Sequence, residues 1–295
     1  LFLLSQILQK DDEMMRHLAV GGSDKVRMLV ENRYGVVHTV NDGGHGDVVY
    51  GGNVYDGRTN IDLSSNSNAI DRAYLLYALH PAPKRVLVIG LSTGAWTKVL
   101  AAVPGIEKID VVEINPGYLK MIQAYPDLAS LLADPRVNIH IDDGRRWLRR
   151  SHQKFDIILM NTTYHWRANA TNLLSAEMMK LAQQSLSPMG IFAFNTTDSH
   201  DAFYTAASVF SHAYMFKKFV YAGDYDFRQQ IPFVVDRVKG FQFDGKRLVP
   251  DELASNQALD TLSRARFVEL KNIVAASHRP LEVITDQNMI TEFRY

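Results

Sequence analysis

The chain has 295 residues, with 32 Lys and Arg balanced by 32 Asp and Glu, so its formal net charge is zero. That length can bury a sizeable core in one elaborated domain or two small ones, and the even balance offers no broad positive field to a phosphate backbone, which argues against a nucleic-acid partner. Cysteine is absent, which excludes disulfide scaffolds, thiolate zinc sites and cysteine nucleophiles.

Residues 1–30 carry apolar positions at mixed helical spacing (Ile7, Leu8, Met14, Met15, Leu18) and predict one or two helices. No stretch is apolar over the length that crosses a bilayer, and no charged-then-apolar signal opens the chain. The apolar start Leu1-Phe2-Leu3-Leu4 fits a cytoplasmic protein or the soluble part of one attached to a membrane segment. Over residues 31–70 the runs Tyr34–Val40, Asp47–Tyr50 and Asn53–Tyr55 are separated by Asn41-Asp42-Gly43-Gly44, Gly51-Gly52 and Asp56-Gly57, which predicts a small antiparallel β module. His45, between glycines, reads as a turn residue. Ile70–Leu79 reads as a helix, ended by Pro81 and Pro83.

From Arg85 to about Phe194, strands alternate with helical segments, the pattern of a parallel sheet covered on both faces. Ligands in such sheets bind at the carboxyl ends of the strands. The strand Arg85–Ile89 runs into Gly90-Leu91-Ser92-Thr93-Gly94, where small residues let the backbone approach a ligand closely. About twenty residues on, Val112-Glu113-Ile114 puts an acid at the next strand tip, suited to ribose hydroxyls. Val137–Ile141 then ends in Asp142-Asp143-Gly144, suited to an adenine amino group. A glycine turn alone serves strand-to-helix packing as well as a ligand, and Ser92 and Ala95 replace the later glycines of the dinucleotide fingerprint, which disfavours NAD. The succession Gly90–Gly94, Glu113, Asp143 and Phe155–Met160 points instead to an S-adenosyl nucleoside. The expected fold is α/β: a Rossmann-like parallel sheet of class I methyltransferase type over residues 71–240, behind the small N-terminal antiparallel β module. Residues 241–295 form an α/β extension, with Asn256–Ala276 helical and Leu281–Ile284 a late strand. Arg145, Arg146, Arg149 and Arg150, at helical spacing, read as a solvated face.

Over residues 31–235 the chain resembles the spermidine synthase (polyamine aminopropyltransferase) family. The resemblance rests on Tyr55-Asp56-Gly57-Arg58, His80-Pro81-Ala82-Pro83-Lys84-Arg85, Val112-Glu113-Ile114, Asp134-Pro135-Arg136-Val137, Asp142-Asp143-Gly144 and Phe155-Asp156-Ile157-Ile158. It implies aminopropyl transfer from decarboxylated S-adenosylmethionine to a diamine, and a homodimer associating through the β module. It also implies Glu113 on the ribose, Asp142 and Asp143 toward the adenine, and Gly90, Ser92 and Gly94 beneath the nucleoside. The reactive half departs from the family. Asn161 and Tyr164 stand where the family has two aspartates that deprotonate and hold the diamine, and Asn68-Ala69-Ile70-Asp71-Arg72 replaces its tyrosine-histidine-glutamate run. An alkyl amine with a pKa of about 10 must lose a proton before it attacks carbon, and asparagine cannot take it. The acceptor is therefore expected to be a small molecule, an amine included, other than a standard diamine. The donor is S-adenosylmethionine or its decarboxylated form; the rivals are methyl transfer and a non-catalytic nucleoside binder.

Tyr164 and His165 are candidates to bind or deprotonate the acceptor, with Trp166 stacking, unless that loop is simply packed by its aromatics. Asp198 and His200, after the next strand, are the candidate replacement bases, the alternative being a helix cap. Asp156 reads as structural. Tyr221, Asp224, Tyr225 and Asp226 either lie over the pocket or form a surface hairpin, and Asp286 has no assigned role. No His, Asp or Glu set has metal-ligand spacing, so no metal is expected.

Overall fold

Two sheets organise the computed structural model, which describes residues 13–22, 25–161 and 171–288. The smaller is antiparallel, in the order β1 (Val26–Asn32), β2 (Gly35–Val40), β3 (Val48–Gly51) and β4 (Val54–Arg58). Only residues 13–18 (α1) of the described N-terminal stretch are helical, so β1 corrects the expectation of helices up to residue 30. The reason is pairing: the Arg33-Tyr34 turn folds β1 onto β2 from Asn32↔Gly35 to Val26↔Val40, and Val26 and Val40 pack with Ala19. Local helical spacing does not outweigh a hairpin partner a few residues away.

The main sheet is built from β5 (Arg85–Ile89), β6 (Lys108–Glu113), β7 (Val137–Ile141), β8 (Phe155–Met160), β9 (Leu186–Asn195), β10 (His212–Phe216), β11 (Phe219–Gly223) and β14 (Val268–Glu269). A separate hairpin pairs β12 (Gln242–Phe243) with β13 (Lys246–Arg247). The main order is β14-β10-β11-β9-β8-β5-β6-β7, with β7, β6, β5, β8 and β9 parallel. β11 runs antiparallel between β9 and β10, since only Lys217 and Lys218 separate it from β10 and so short a link closes a hairpin. This is the expected α/β architecture. Val86, Leu87, Ile157, Ile158 and Leu159 are wholly buried because helices cover both faces.

One face packs α2 (Asp71–Leu79), α3 (Ala95–Ala101), α4 (Gly117–Gln123), α5 (Pro126–Ala129), α9 (Val234–Lys239) and α10 (Leu253–Ser263). The other packs α6 (Gly144–Ser151), α7 (Ala176–Ser185), α8 (His200–Val209) and α11 (Leu270–Ala276). Polar contacts join the β module to the larger sheet: Asn32 Nδ2 donates to Asn115 Oδ1 at 2.7 Å and Tyr125 Oη to Asp47 at 2.8 Å. Asp156 is structural, as expected. Its carboxylate accepts from the Lys84 and Arg85 amides at 2.8 and 3.0 Å and from the Ser187 hydroxyl, tying the entries of β5, β8 and β9 together.

Three further expectations are corrected. The helix expected over Asn256–Ala276 is split into α10 and α11 by β14, because Phe267 enters an aromatic cluster with Tyr214, Phe216, Tyr221 and Phe227 and draws the next two residues onto the edge of β10. Leu281–Ile284 is not a strand. Its backbone is held by α8 side chains, Glu282 N donating to Asp201 Oδ1 and Ile284 N to Thr205 Oγ1, both at 2.9 Å. The run Ser187-Pro188-Met189-Gly190, which in sequence reads as a helix-to-strand turn feeding Ile191–Phe194, lies inside β9, with Met189 left-handed at φ +64°.

Candidate functional site

Chain order reverses between β5 and β8, and the crevice outside their carboxyl ends is where such sheets bind ligands. Gly90 closes β5 at φ +89°, and a Cβ there would stand 2.8 Å from the Asn161 carbonyl oxygen. That oxygen cannot retreat, since Asn161 N donates to Ile89 O at 3.0 Å. Gly90→Ala is therefore expected to lower stability by about 2 kcal/mol through left-handed strain and a backbone clash. An unchanged urea midpoint would contradict this. Gly94 opens α3 at φ +76°. Ser92 is left-handed without being glycine, at φ +50°, and its hydroxyl donates to the Asp56 carbonyl, clamping β4 onto the turn.

Glu113 ends β6 with only 4% of its surface exposed. Oε2 accepts from Leu91 N at 2.7 Å and Oε1 from Asn115 N at 2.8 Å. Burial pushes its pKa up to about 7 against the pull of those amides. The Ser92 amide also bonds to this carboxylate, and the remaining acceptor capacity is what a ribose diol needs.

Asp142 and Asp143 follow β7. Asp142 Oδ1 accepts from Asp143 N and from Arg146 Nε, each at 2.7 Å, and Asp143 caps α6 by accepting from Arg146 N at 2.7 Å. The arginine run is not uniformly solvated. Arg145 lies against Asp286 at 2.6 and 2.7 Å and donates to Asn172 O, which gives Asp286 a structural role, whereas Arg149 and Arg150 are exposed.

Beside the turn lies a cavity of about 240 Å³. Of the residues singled out from sequence, Ser92, Asn161 and Asp198 line it. Gly90, Gly94, Glu113, Asp142, Asp143 and His200 are not on its wall. Tyr164, His165 and Trp166 fall outside the described residues. Thr197 and Asp198 are consecutive left-handed residues at φ +55° and +68°, a strained pair at a strand tip. Lys218 Nζ sits 2.7 and 2.9 Å from the two Asp198 oxygens. The α8 cap is Ser199, which accepts from Ala202 N, and His200 is exposed in the first turn. The acidic-aromatic group does not cover the cavity: Tyr221 is wholly buried, Asp224 accepts from Gln183 and Asp226 pairs with Arg228.

Sequence reasoning passed over Asp56, Arg72, Trp96 and Lys218, all on the wall. Asp56, to which the Tyr118 hydroxyl donates, stands in the Tyr55–Arg58 motif quoted for its resemblance alone. Arg72 stands in the Asn68–Arg72 run quoted only as a departure from the family, and it is the residue of α2 that is not buried.

The family model of the spermine/spermidine synthase domain matches residues 74–232. The polyamine aminopropyltransferase of Agathobacter rectalis is 39% identical over 87 residues, 29% of this chain and 30% of that protein, and that of Streptococcus pneumoniae serotype 4 is 42% identical over the same length and shares. The chain thus spans 30% of the length of these two curated relatives. The enzyme of Thermococcus kodakarensis is 30% identical over 151 residues, 46% of this chain and 52% of that protein. Among solved structures, spermidine synthase from Thermotoga maritima superposes with a TM-score of 0.64 at 18% identity, over 80% of this chain and 84% of that one. A spermidine synthase bound to the transition state analogue AdoDATO gives 0.65 at 18%, over 80% and 85%. At that identity the likeness is one of fold.

Proposed function

The chain belongs to the spermine/spermidine synthase family, and on that premise we propose that it transfers a group from the sulfonium of an S-adenosyl donor to a small-molecule acceptor other than a standard diamine. The donor, S-adenosylmethionine or its decarboxylated form, lies over Gly90–Gly94, with Glu113 on the ribose hydroxyls and Asp142 and Asp143 toward the base. The single observation that carries this reading is the Glu113 carboxylate, buried at the tip of β6 next to β5 and bonded to the amide of Leu91 inside the glycine turn. The acceptor takes the 240 Å³ cavity on the Ser92 side of the same turn. That volume is below the ~300–1,000 Å³ of ordinary ligand pockets, so it suits a transferred arm and a small nucleophile, not a nucleoside as well.

When bound, the donor supplies an electrophilic carbon on positively charged sulfur, and the bonding pair returns to sulfur as a neutral thioether leaves. The protein's task is alignment and proton removal. Asn161 orients the nucleophile and Asp198 is the carboxylate placed to receive its proton. Chromatography of the spent nucleoside tests the reading: methylthioadenosine marks aminopropyl transfer and S-adenosylhomocysteine marks methyl transfer. Methyl transfer is kept as a second reading because Asn161 stands on the cavity wall at a position where aminopropyl transfer to a diamine calls for a carboxylate. Tight donor binding with neither product would support a non-catalytic binder. Asn161→Ala is expected to lower kcat about tenfold while leaving the nucleoside Kd within about twofold. A Kd that rises as far as kcat falls would move Asn161 to the donor side.

A further inference from the structure

Arg72 is the second residue of α2 and lines the 240 Å³ cavity. It is held from three sides. Its Cζ lies 5.0 Å from the ring centroid of Trp96 and 5.4 Å from that of Phe219, and its Nε donates to Ala69 O at 3.2 Å. The two terminal nitrogens form no ion pair with a carboxylate among the described residues. The acids nearby are engaged: Asp71 by Lys217, Asp56 by the Tyr118 hydroxyl, and Asp198 by Lys218. The segment 162–170, Thr-Thr-Tyr-His-Trp-Arg-Ala-Asn-Ala, contains no Asp or Glu to supply a counter-ion.

A guanidinium taken out of water without an anion is unfavourable, and two aromatic faces offset only part of that. Burial accordingly pulls the Arg72 pKa below the usual arginine value. Arginine's planar fork matches a carboxylate through two parallel N–H donors. With Nε already bonded to backbone, the terminal nitrogens are the donors left for a ligand. Asn161, which lines the same cavity, carries a neutral side-chain amide as a further donor.

We propose that Arg72 binds a carboxylate of the substrate, so that the cavity selects an anionic group at the place where a diamine site would hold an ammonium. This rests on the transferase reading above. The carboxylate has two possible sources: the α-carboxylate of a donor that has not been decarboxylated, or an acid group on the acceptor. An ammonium brought against Arg72 in the same cavity would meet this fixed positive charge and be repelled there.

The test uses probe pairs that differ at one end group, titrated calorimetrically against the protein and against Arg72→Leu and Arg72→Lys. In the donor arm, S-adenosylmethionine is compared with its decarboxylated form. In the acceptor arm, 4-aminobutanoate is compared with 1,4-diaminobutane, without nucleoside. Methylthioadenosine, which has no carboxylate, reports the nucleoside site separately. The wild-type protein is expected to prefer the carboxylated member of one pair by about tenfold or more. The arm showing the preference identifies the source. Arg72→Leu should abolish the preference and Arg72→Lys should retain part of it, since ammonium keeps the charge and loses the fork. Should the leucine variant fail to fold, the lysine variant and the wild-type preference still decide. Methylthioadenosine binding with no carboxylate preference in either arm overturns the Arg72 assignment and spares the nucleoside reading. A 4-aminobutanoate preference without methylthioadenosine binding does the reverse.

Discussion

Glu113→Ala is expected to weaken methylthioadenosine binding about a hundredfold. Two ribose hydroxyls donating to one carboxylate contribute roughly 1.5–3 kcal/mol each, and about 3 kcal/mol in total is a factor of about a hundred. The wild-type affinity should also depend on pH in a defined direction. Because burial raises the pKa from 4.5 to about 7, the carboxyl is protonated in a good part of the molecules below neutrality, and a protonated oxygen is a poorer acceptor. Affinity should therefore rise as pH climbs through about 7 and level off above it. The stability of the free protein moves the other way. The folded value lies above the unfolded one, so the stabilisation linked to this group is full below about 4.5 and is lost as pH rises toward about 7. Titrations at about pH 6 and about pH 8, paired with unfolding at the same pH values, separate the two effects. An affinity that is the same on both sides of neutrality would mean that Glu113 serves the Leu91, Ser92 and Asn115 amides alone.

How much of this was legible in the sequence follows from the range of the forces involved. The central parallel strands β5 and β8 announce themselves because each is a largely apolar run buried on both faces, and the strand tips carry Gly90, Glu113, Asp142 and Asn161. The turn at Gly90, the acid at Glu113 and the structural part of Asp156 could therefore be read directly. Asp143 shows the limit of the same local signals, since an aspartate before a helix fits a ligand contact and an N-cap equally, and in the folded chain one of its oxygens is committed to the cap. β1 and β14 were hidden because their partners, not their own periodicity, make them strands. Arg72 was hidden for a deeper reason. As one cation on α2 it means little, and it becomes a site only when α3 and β11 bring Trp96 and Phe219 against it. Long-range packing of this kind leaves no pattern in any short window of residues.

Asp201 is the buried carboxylate among the anchors of the C-terminal extension, and Asp201→Ala is expected to loosen that extension at a loss of about 3 kcal/mol. Asp201 is 1% exposed in the first turn of α8. Arg279 reaches both of its oxygens, Nη1 to Oδ1 at 3.0 Å, while Glu282 N donates to Oδ1 at 2.9 Å. Alanine leaves that amide without its acceptor, although Arg279, partly exposed, can turn back to water and limit the penalty. The other clamp, Arg145 on Asp286, has its acid 37% exposed and is worth less. The expected result is a lower urea midpoint together with early proteolysis after residue 276. The consequence reaches the cavity, because α8 begins directly after the left-handed pair Thr197 and Asp198, and a loosened first turn lets that strain relax. A variant with wild-type proteolysis would assign the anchoring to the Arg145 pair and the Thr205–Ile284 bond. A variant that loses the C-terminal contacts yet keeps full turnover would show that the strained strand tip is held by Lys218 and β9 without help from α8.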